Sequence, residues 1–401
     1  MIGRQVVVCS AVRTPMGRHG GQLAGVRVDE LAALVISEAV ARARLDPVTV
    51  ELVAAGCVNT SGEAMGNLAR YAALLAGLPH GVAGVTLNHF CGSGLAAINA
   101  AAHAIATGEV DVAVAVGAES MSRSTWSVPK PATPFARHEL VGRDTMWSGA
   151  GGPYNPQLVA TGAMIEMPET AQNLADRYEI SRAEQDAYAV ESHRRAAAAA
   201  DEGRFADELV AVPTAAGEVG GDETIRRDTS VEKLAKLSGY FEGCPDITAG
   251  NASQINDGAS ALVLAEAQTA QRLGLPSLAH IRSTAVAGVD PAVMGLGPTV
   301  AIPRALRRAE LNLDQIDLVE INEAFASQTI ACLRDLGLDH ERTNVNGGAI
   351  ALGHALGNSG TRIVTTLLHE LRRRGGRYGV ASLCIGGGQG VATVFEPAEA
   401  A

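Results

Sequence analysis

VTLNHFCGSGLAAINAAAHAIATGEVDVAVAVGAES, residues 85–120, decides the fold. VTL is short, apolar and β-branched. Gly92, Ser93 and Gly94 make a turn, and SGLAAINAAAHAIATG (93–108) has the composition of a helix. VDVAVAVGA (110–118) is apolar without alternation, as a strand is when helices cover both faces of its sheet. The same order returns in TNVNGGAIALGHALGNSGTRIVTTLLHELRRRGGRYGVASLCIGGG, residues 343–388. Each block gives a strand, an Asn, a reactive residue, a small-Ser-Gly turn, a long helix, a strand and then glycine. An upstream pair repeats too, LDPVTVELVAAGCVN (45–59) against LNLDQIDLVEINEAF (311–325). Any two βα units share such features, but two matching blocks in one order point to a duplicated α/β domain.

Working outward, VVVCSAV (6–12), ELVAAGCV (51–58) and YGVASLCI (378–385) read as further buried strands, and DELAALVISEAVARARL (29–45) as a helix. Residues 123–253 differ. Proline-dotted loops (SVPKPATPF, GGPYNPQ) and a polar helix (SRAEQDAYAVESHRRAAAAADEG) read as an insertion that caps the first half.

The chain has 401 residues, 47% of them hydrophobic, and a formal net charge of −11. That apolar fraction suits a large core rather than disorder. The acidic balance argues against nucleic acid or an anionic membrane as partner. Six cysteines without a C-x-x-C pair read as reduced thiols, with no zinc site of standard spacing. MIGRQVVVCSAVRTP reads as a first strand rather than a signal peptide, and EPAEAA carries no anchor or peroxisomal address. No apolar run is expected to span a membrane, and a cytoplasmic placement follows as an expectation.

Cys91 precedes the first turn-helix start. A helix N-terminus there would lower the thiol pKa and favour the thiolate, and Gly92 and Gly94 would let a substrate approach the backbone. The plainer reading is a small buried hydrophobe. His354, in GGAIALGHALGNSG, takes the corresponding place in the second repeat, so that duplication would bring both into one cleft as a Cys–His pair. Cys384, in ASLCIGGGQG, ends a strand before a glycine run. No helix or downstream acid follows to make a dinucleotide fingerprint, so the glycines fit better as a loop whose N–H groups face an oxyanion. Asn322 and Glu323 follow another strand, where Asn could simply cap a helix. Arg226, Arg227, Lys233 and Lys236 cluster in TIRRDTSVEKLAKL, either as a phosphate site or as a solvated helix face.

Together these motifs resemble the thiolases, acyl-CoA C-acyltransferases, along nearly the whole chain. The resemblance rests on AVRTPMGRHGG, NHFCGSGLAAI, GAESMSR (117–123), TAGNASQINDGASA (248–261), MGLGP (294–298), EINEAFA (320–326), NGGAIALGH (346–354) and CIGGGQG (384–390), in the family's order. It implies the duplicated, five-layered αβαβα fold with an inserted loop domain. The halves would be 1–122 plus 254–275 and 276–401, and the CoA-binding insert 123–253. It implies Cys91 as the acylated nucleophile, His354 as its base and Cys384 as acid/base at the α-carbon. Asn322 would hold a water in one oxyanion hole, and the amides of Cys91 and Gly386 would form the other. For coenzyme A it implies Arg226 beside the adenine, and Ser253, Ala249 and Met167 along the pantetheine. Leu237, Phe241, Met294, Ala324 and Phe325 would form the rest of the tunnel wall.

Three positions depart from the family pattern: Glu166 stands where short-chain members carry His, Ala355 follows the catalytic His in place of Pro, and Asn358 replaces a small residue. MPETAQN is closer to degradative and β-ketoadipyl-CoA-type members. The implied reaction is reversible cleavage of a 3-oxoacyl-CoA to acyl-CoA and acetyl-CoA through an acyl-cysteine. CoA would be a substrate, no metal or prosthetic group would be needed, and a homodimer or homotetramer is expected. Ketoacyl or hydroxymethylglutaryl synthases, and a non-catalytic acyl-CoA binder, are the alternatives; the second cysteine argues against the synthases.

Overall fold

The computed structural model describes residues 3–131, 133, 141–146 and 154–398. Parts of the loops SVPKPATPF and GGPYNPQ, and the end of EPAEAA, lie outside the described residues.

In the first half β1 (Val6–Arg13) leads to α1 (Val28–Arg42), β2 (Leu52–Gly56), α2 (Leu68–Leu75), β3 (Ala83–Leu87), α3 (Ser93–Thr107) and β4 (Val112–Ser120). The insertion contributes α4 (Met167–Arg177) and α5 (Arg182–Asp201), after which β5 (Asn256–Glu266) returns to the first half. The second half runs β6 (Ala279–Gly288), α6 (Gly297–Ala309), β7 (Leu318–Ile321), α7 (Ala326–Leu336), α8 (Leu356–Arg374), β8 (Gly379–Ile385) and β9 (Gln389–Pro397). The strands order as β7-β8-β9-β6-β1-β5-β4-β2-β3, with Gly17–Arg18 as a short addition on β5.

The duplication is visible in detail. Within each half the first strand pairs antiparallel with the last (β1 with β5, β6 with β9), and the two inner pairs are one antiparallel and one parallel. The place of β3 is taken in the second half by a single parallel bridge, Val319 to Thr343. Both first strands shift register at the same point, Val8/Ser10 and Ile281/Ser283. Ser10 Oγ donates to the Ala39 carbonyl of α1 and Ser283 Oγ to the Ala305 carbonyl of α6, both at 2.7 Å. Even the left-handed residues after those helices correspond, Arg44 (φ 54°) and Glu310 (φ 58°). The halves join edge to edge where Val7 and Val8 of β1 meet His280 and Ala279 of β6.

Alternate residues of each strand feed different cores, which produces five layers. α1 and α2 cover one face of the first half. α3 and α8 lie between the halves. α6 and α7 cover the far face of the second half. Contrary to the sequence expectation, Phe90–Thr107 is long and apolar enough to cross a membrane. Its helical part, α3, is largely apolar because it is packed between the two halves of the sheet.

The insertion also departs from expectation. It leaves the chain within the first half, yet packs chiefly on the second: Leu174, Ile180 and Tyr188 share a core with Leu296, Ala326 and Ile330, and Ala196 and Phe205 share one with Ala351 and Leu352. It also touches the first half: the buried Arg13 guanidinium pairs with Glu208 and Asp222, the main chain of Arg13 hydrogen-bonds Glu208 and Val210 at 2.8 Å, and Val210, Val212 and Val219 join the core under α1.

α3 and α8 cross at backbone distance. A Cβ on Gly94 would lie 2.7 Å from Thr361 N, and one on Gly360 only 2.1 Å from Leu95 N. We expect Gly360→Ala to destabilise the protein by about 1–3 kcal/mol or more through overpacking, read as a lowered thermal midpoint. An unchanged midpoint would show that the crossing tolerates a methyl group.

Candidate active site

The GSG and NSG turns set Ser93 against Ser359 and Gly94 against Gly360. In that register Gly357 stands opposite Cys91, and His354 lies one turn further upstream than the repeat alone suggests. The two helix starts meet regardless, since a Cβ on Gly94 would touch the Gly357 carbonyl at 2.8 Å. Cys91 precedes α3 by two residues, and its neighbour Phe90 adopts φ 46°. Of the six free cysteines Cys91 alone is partly exposed; the other five are buried.

Burial pushes the Cys91 thiol up to about 11, although the N–H groups of Gly386 and of Cys91 itself favour the thiolate. The expected lowering by the helix terminus is therefore outweighed by desolvation. Cys384, at the end of β8, is raised well above the usual thiol range by burial and then by Cys91 close by.

His354 is buried, and burial followed by the charge of Arg362 lowers its pKa to about 4. Its Nδ1 lies 2.6 Å from Ser359 Oγ, whose own hydrogen goes to the Ala355 carbonyl at 3.0 Å. Nδ1 therefore carries the ring hydrogen and Nε2 is left as a bare acceptor. Nε2 has no hydrogen-bond partner among the described residues.

Asn322 caps nothing; the N-cap of α7 is Phe325. The Asn322 side chain is fully buried, and neither amide atom has a partner among the described residues. Its backbone N–H donates to the carbonyl of Ser382, two residues before Cys384, at 3.0 Å. Residues 252–255 run from this strand end to the imidazole: Ala252 bridges Phe325, Ser253 N–H donates to the Ala324 carbonyl at 2.9 Å, and Ile255 bridges His354. The two sulfurs are thus neighbours, and main-chain contacts link the segments that carry Asn322 and His354 to the end of β8. Buried polar atoms left unpartnered by protein are costly unless a ligand or water meets them.

Two carboxylates, neither singled out for such a role from sequence, hold the surrounding turns. Glu119 accepts from the N–H groups of Val58 (2.9 Å), Asn59 (3.1 Å) and Gly357 (2.9 Å). Glu323 accepts from Tyr188 Oη (3.0 Å), Ser192 Oγ (2.7 Å), Asn344 Nδ2 (3.0 Å) and Ile350 N (3.2 Å). Ser359 was missed as well, though the serine of NSG was its signal.

An apolar cluster surrounds Cys384. Met167, Phe241, Met294, Ala324 and Phe325 form one cluster with it, and a Cβ on Gly386 would lie 3.7 Å from Met167 Sδ. Leu237 reaches Gly250 at the outer margin, and Ala249 is exposed beside it. Arg226 is exposed on the insertion, its backbone N–H held by His193 Nδ1 at 3.1 Å. Its neighbours are neutralised locally, Arg227 by Asp201 and Lys233 by Asp228.

The sequence matches the family described as "Thiolase, N-terminal domain" over residues 6–268 and "Thiolase, C-terminal domain" over residues 275–397. It is 47% identical over 404 residues to a β-ketoadipyl-CoA thiolase of Pseudomonas aeruginosa, covering 98% of this chain and 100% of that protein. It is 47% identical over 395 residues to an acetyl-CoA acetyltransferase of the same organism, covering 97% and 98%. The crystal structure of human mitochondrial 3-ketoacyl-CoA thiolase in complex with CoA matches with a TM-score of 0.92 and 40% identity, over 98% of each chain.

A thiol with a pKa of about 11 is protonated at neutral pH. Alkylation of Cys91 by iodoacetamide should therefore rise about tenfold per pH unit from pH 7 to 9 without a plateau. Mass spectrometry identifies the site, and a plateau below pH 8 would reveal a stable resting thiolate.

Proposed function

Because the chain belongs to the thiolase family, and is thus a CoA-dependent acyltransferase with CoA as substrate, we propose that Cys91, His354, Cys384 and Asn322 perform its chemistry. The observation that carries this reading is the meeting of the Cys91 thiol, in the one partly exposed cysteine residue, with the Gly386 N–H and a second thiol. The buried His354 Nε2 and Asn322 amide, both without a partner among the described residues, support the reading as polar groups left for a ligand or water.

The steps follow from the proton positions. Cys91 sulfur attacks the keto carbon of a 3-oxoacyl-CoA while its proton passes to His354 Nε2. The oxyanion is held by the amides of Cys91 and Gly386. Cleavage of the carbon–carbon bond releases the acetyl-CoA enolate, whose α-carbon takes the proton of Cys384. Incoming CoA gives its thiol proton to the Cys384 thiolate and attacks the acyl-cysteine. Cys91 then leaves and recovers its proton from His354. Asn322, through a water, and His354 bind the thioester oxygen of acetyl-CoA. Run backwards, the same groups condense two acyl-CoA molecules.

For the substrate we take β-ketoadipyl-CoA as the preferred 3-oxoacyl-CoA, supported by the identity with the P. aeruginosa relative of that name. Acetoacetyl-CoA is the second reading, favoured by the equal identity to the acetyl-CoA acetyltransferase. The apolar cluster of Met167, Phe241, Met294, Ala324 and Phe325 suits pantetheine, with Ser253, Ala249 and Leu237 further along and Arg226 toward the adenine. Pairing of subunits through the edge strand β3 is supported by exposed Val85, Tyr71 and Leu75. Six free cysteines fit a reducing compartment such as the cytoplasm.

Two experiments test the reading. Cys384→Ala should still acquire an acetyl group on Cys91 from acetyl-CoA while condensation falls about 10²–10⁴-fold; Cys91→Ala should do neither. Retained condensation without Cys384 would move the proton transfer to another group. In a kcat/KM series, β-ketoadipyl-CoA should exceed straight-chain 3-oxoacyl-CoA substrates by about tenfold or more. A preference for acetoacetyl-CoA would establish the second reading instead.

A further inference from the structure

The turn between β8 and β9 is Gly386-Gly387-Gly388, closed by the pair Ile385–Gln389. Gly387 and Gly388 adopt φ of 77° and 80°. Three glycines give this turn no side chain with which to anchor itself and the most backbone freedom to lose. Its order must come from outside. On one side the Val289 N–H donates to the Gly388 carbonyl at 2.8 Å. On the other stands His89, whose Nε2 lies 3.1 Å from Gln389 Oε1. Gln389 Nε2 in turn points to the Gly386 carbonyl at 3.5 Å.

His89 belongs equally to the nucleophile's turn. Its N–H donates to Ser93 Oγ at 2.8 Å, and its carbonyl accepts from the Gly92 N–H at 3.0 Å. One imidazole therefore joins the turn that carries Cys91 to the turn that carries Gly386.

We propose that His89 and Gln389 are positioning residues, a clasp that fixes the Gly386 N–H relative to the Cys91 sulfur. The proposal rests on the reading of the Gly386 amide as an oxyanion donor. Neither side chain has to touch the substrate. Donors in an oxyanion hole act because they are in place before charge develops. A clasp supplies that placement where the backbone cannot. Releasing it would let the Gly386 amide drift, and a displacement of about 1 Å costs on the order of 100-fold in rate.

The test uses the full-length enzyme with His89→Ala, Gln389→Leu, the double variant, and His89→Gln, which keeps an N–H donor. Acylation of Cys91 by acetyl-CoA is followed as the burst of released CoA. Iodoacetamide alkylation of Cys91, which needs the sulfur but no oxyanion donor, is followed in parallel. Each single loss should slow acylation about 10- to 100-fold. Alkylation should fall far less than acylation, since burial dominates the Cys91 pKa and the Gly386 N–H is only one of two donors that favour its thiolate. The double variant should be no slower than the worse single by more than about threefold, because both break one linkage. His89→Gln should recover part of the rate. Wild-type acylation rates in both single variants would overturn the clasp. So would losses that multiply in the double variant, or alkylation that falls in step with acylation. A wild-type enzyme without a CoA burst would instead overturn the acyl-cysteine reading on which the clasp depends.

Discussion

The crossing of α3 and α8 is the constraint on which the rest depends. Cys91 and His354 belong to different halves of the chain, and each lies just ahead of a central helix. They can share a site only if those helices touch at their first turns. Gly94 and Gly360 permit it, and Gly56 and Gly117 extend the close approach, since a Cβ on either would fall within 2.4 Å of Ser93 or Thr361 atoms. Side chains of ordinary size would hold the two halves apart. The contact is sealed by polar groups rather than hydrocarbon alone: Ser260 Oγ lies within hydrogen-bond distance of both Thr361 Oγ1, at 2.6 Å, and Asn358 Oδ1. Asn358, a departure from the family pattern, thus has a structural partner of its own on β5.

Around this contact the two halves use the same electrostatic device. In each, a buried carboxylate gathers donors from several segments: three main-chain N–H groups at Glu119, and two hydroxyls, a side-chain amide and one main-chain N–H at Glu323. Glu119 binds the N–H of Gly357, so a residue of the first half steadies the helix start that carries the second half's histidine. Glu323 ties the α5 side chains Tyr188 and Ser192 to the loop before α8. Burial raises the pKa of Glu119, and accepted N–H groups oppose that rise. Such carboxylates are costly to bury and persist where they organise several turns at once.

Much of this was legible in the sequence because the signals were local. Strand composition, turn glycines and the repeated order of 85–120 and 343–388 specify βα units, and the elements read at 6, 29, 51, 93, 110 and 378 start within a residue or two of those points, while the strand expected at 343 is a single bridge. Cys91, His354, Cys384 and Asn322 stand out because reactive residues sit at strand ends and helix starts. What the sequence left open depended on distance. Whether the insertion lies on the first or the second half is settled by Leu174 and Tyr188 finding Leu296 and Ile330, more than a hundred positions away. The sign of the Cys91 shift depended on how dry the site is, which local spacing does not encode. Ser359, Glu119 and the pair His89–Gln389 went unread for the same reason: their role lies in a partner, not in a motif.

Dryness also explains why two neutral groups, rather than an ion pair, are the resting state under the proposed roles. With Cys91 raised to about 11 and His354 lowered to about 4, the proton stays on sulfur at neutral pH. Charge then appears only as the carbonyl is attacked, when the oxyanion and the imidazolium form together and the fixed N–H groups act most strongly. Cys384 obeys a further constraint. Two thiolates side by side are disfavoured, and Cys91 is one cause of the raised pKa of Cys384. Cys384 therefore keeps its proton while Cys91 is the nucleophile. Once Cys91 is held as a thioester it bears no charge, and Cys384 can give up its proton to the enolate. Proximity of the two sulfurs thus orders the steps: the acid is released only after the nucleophile has been consumed.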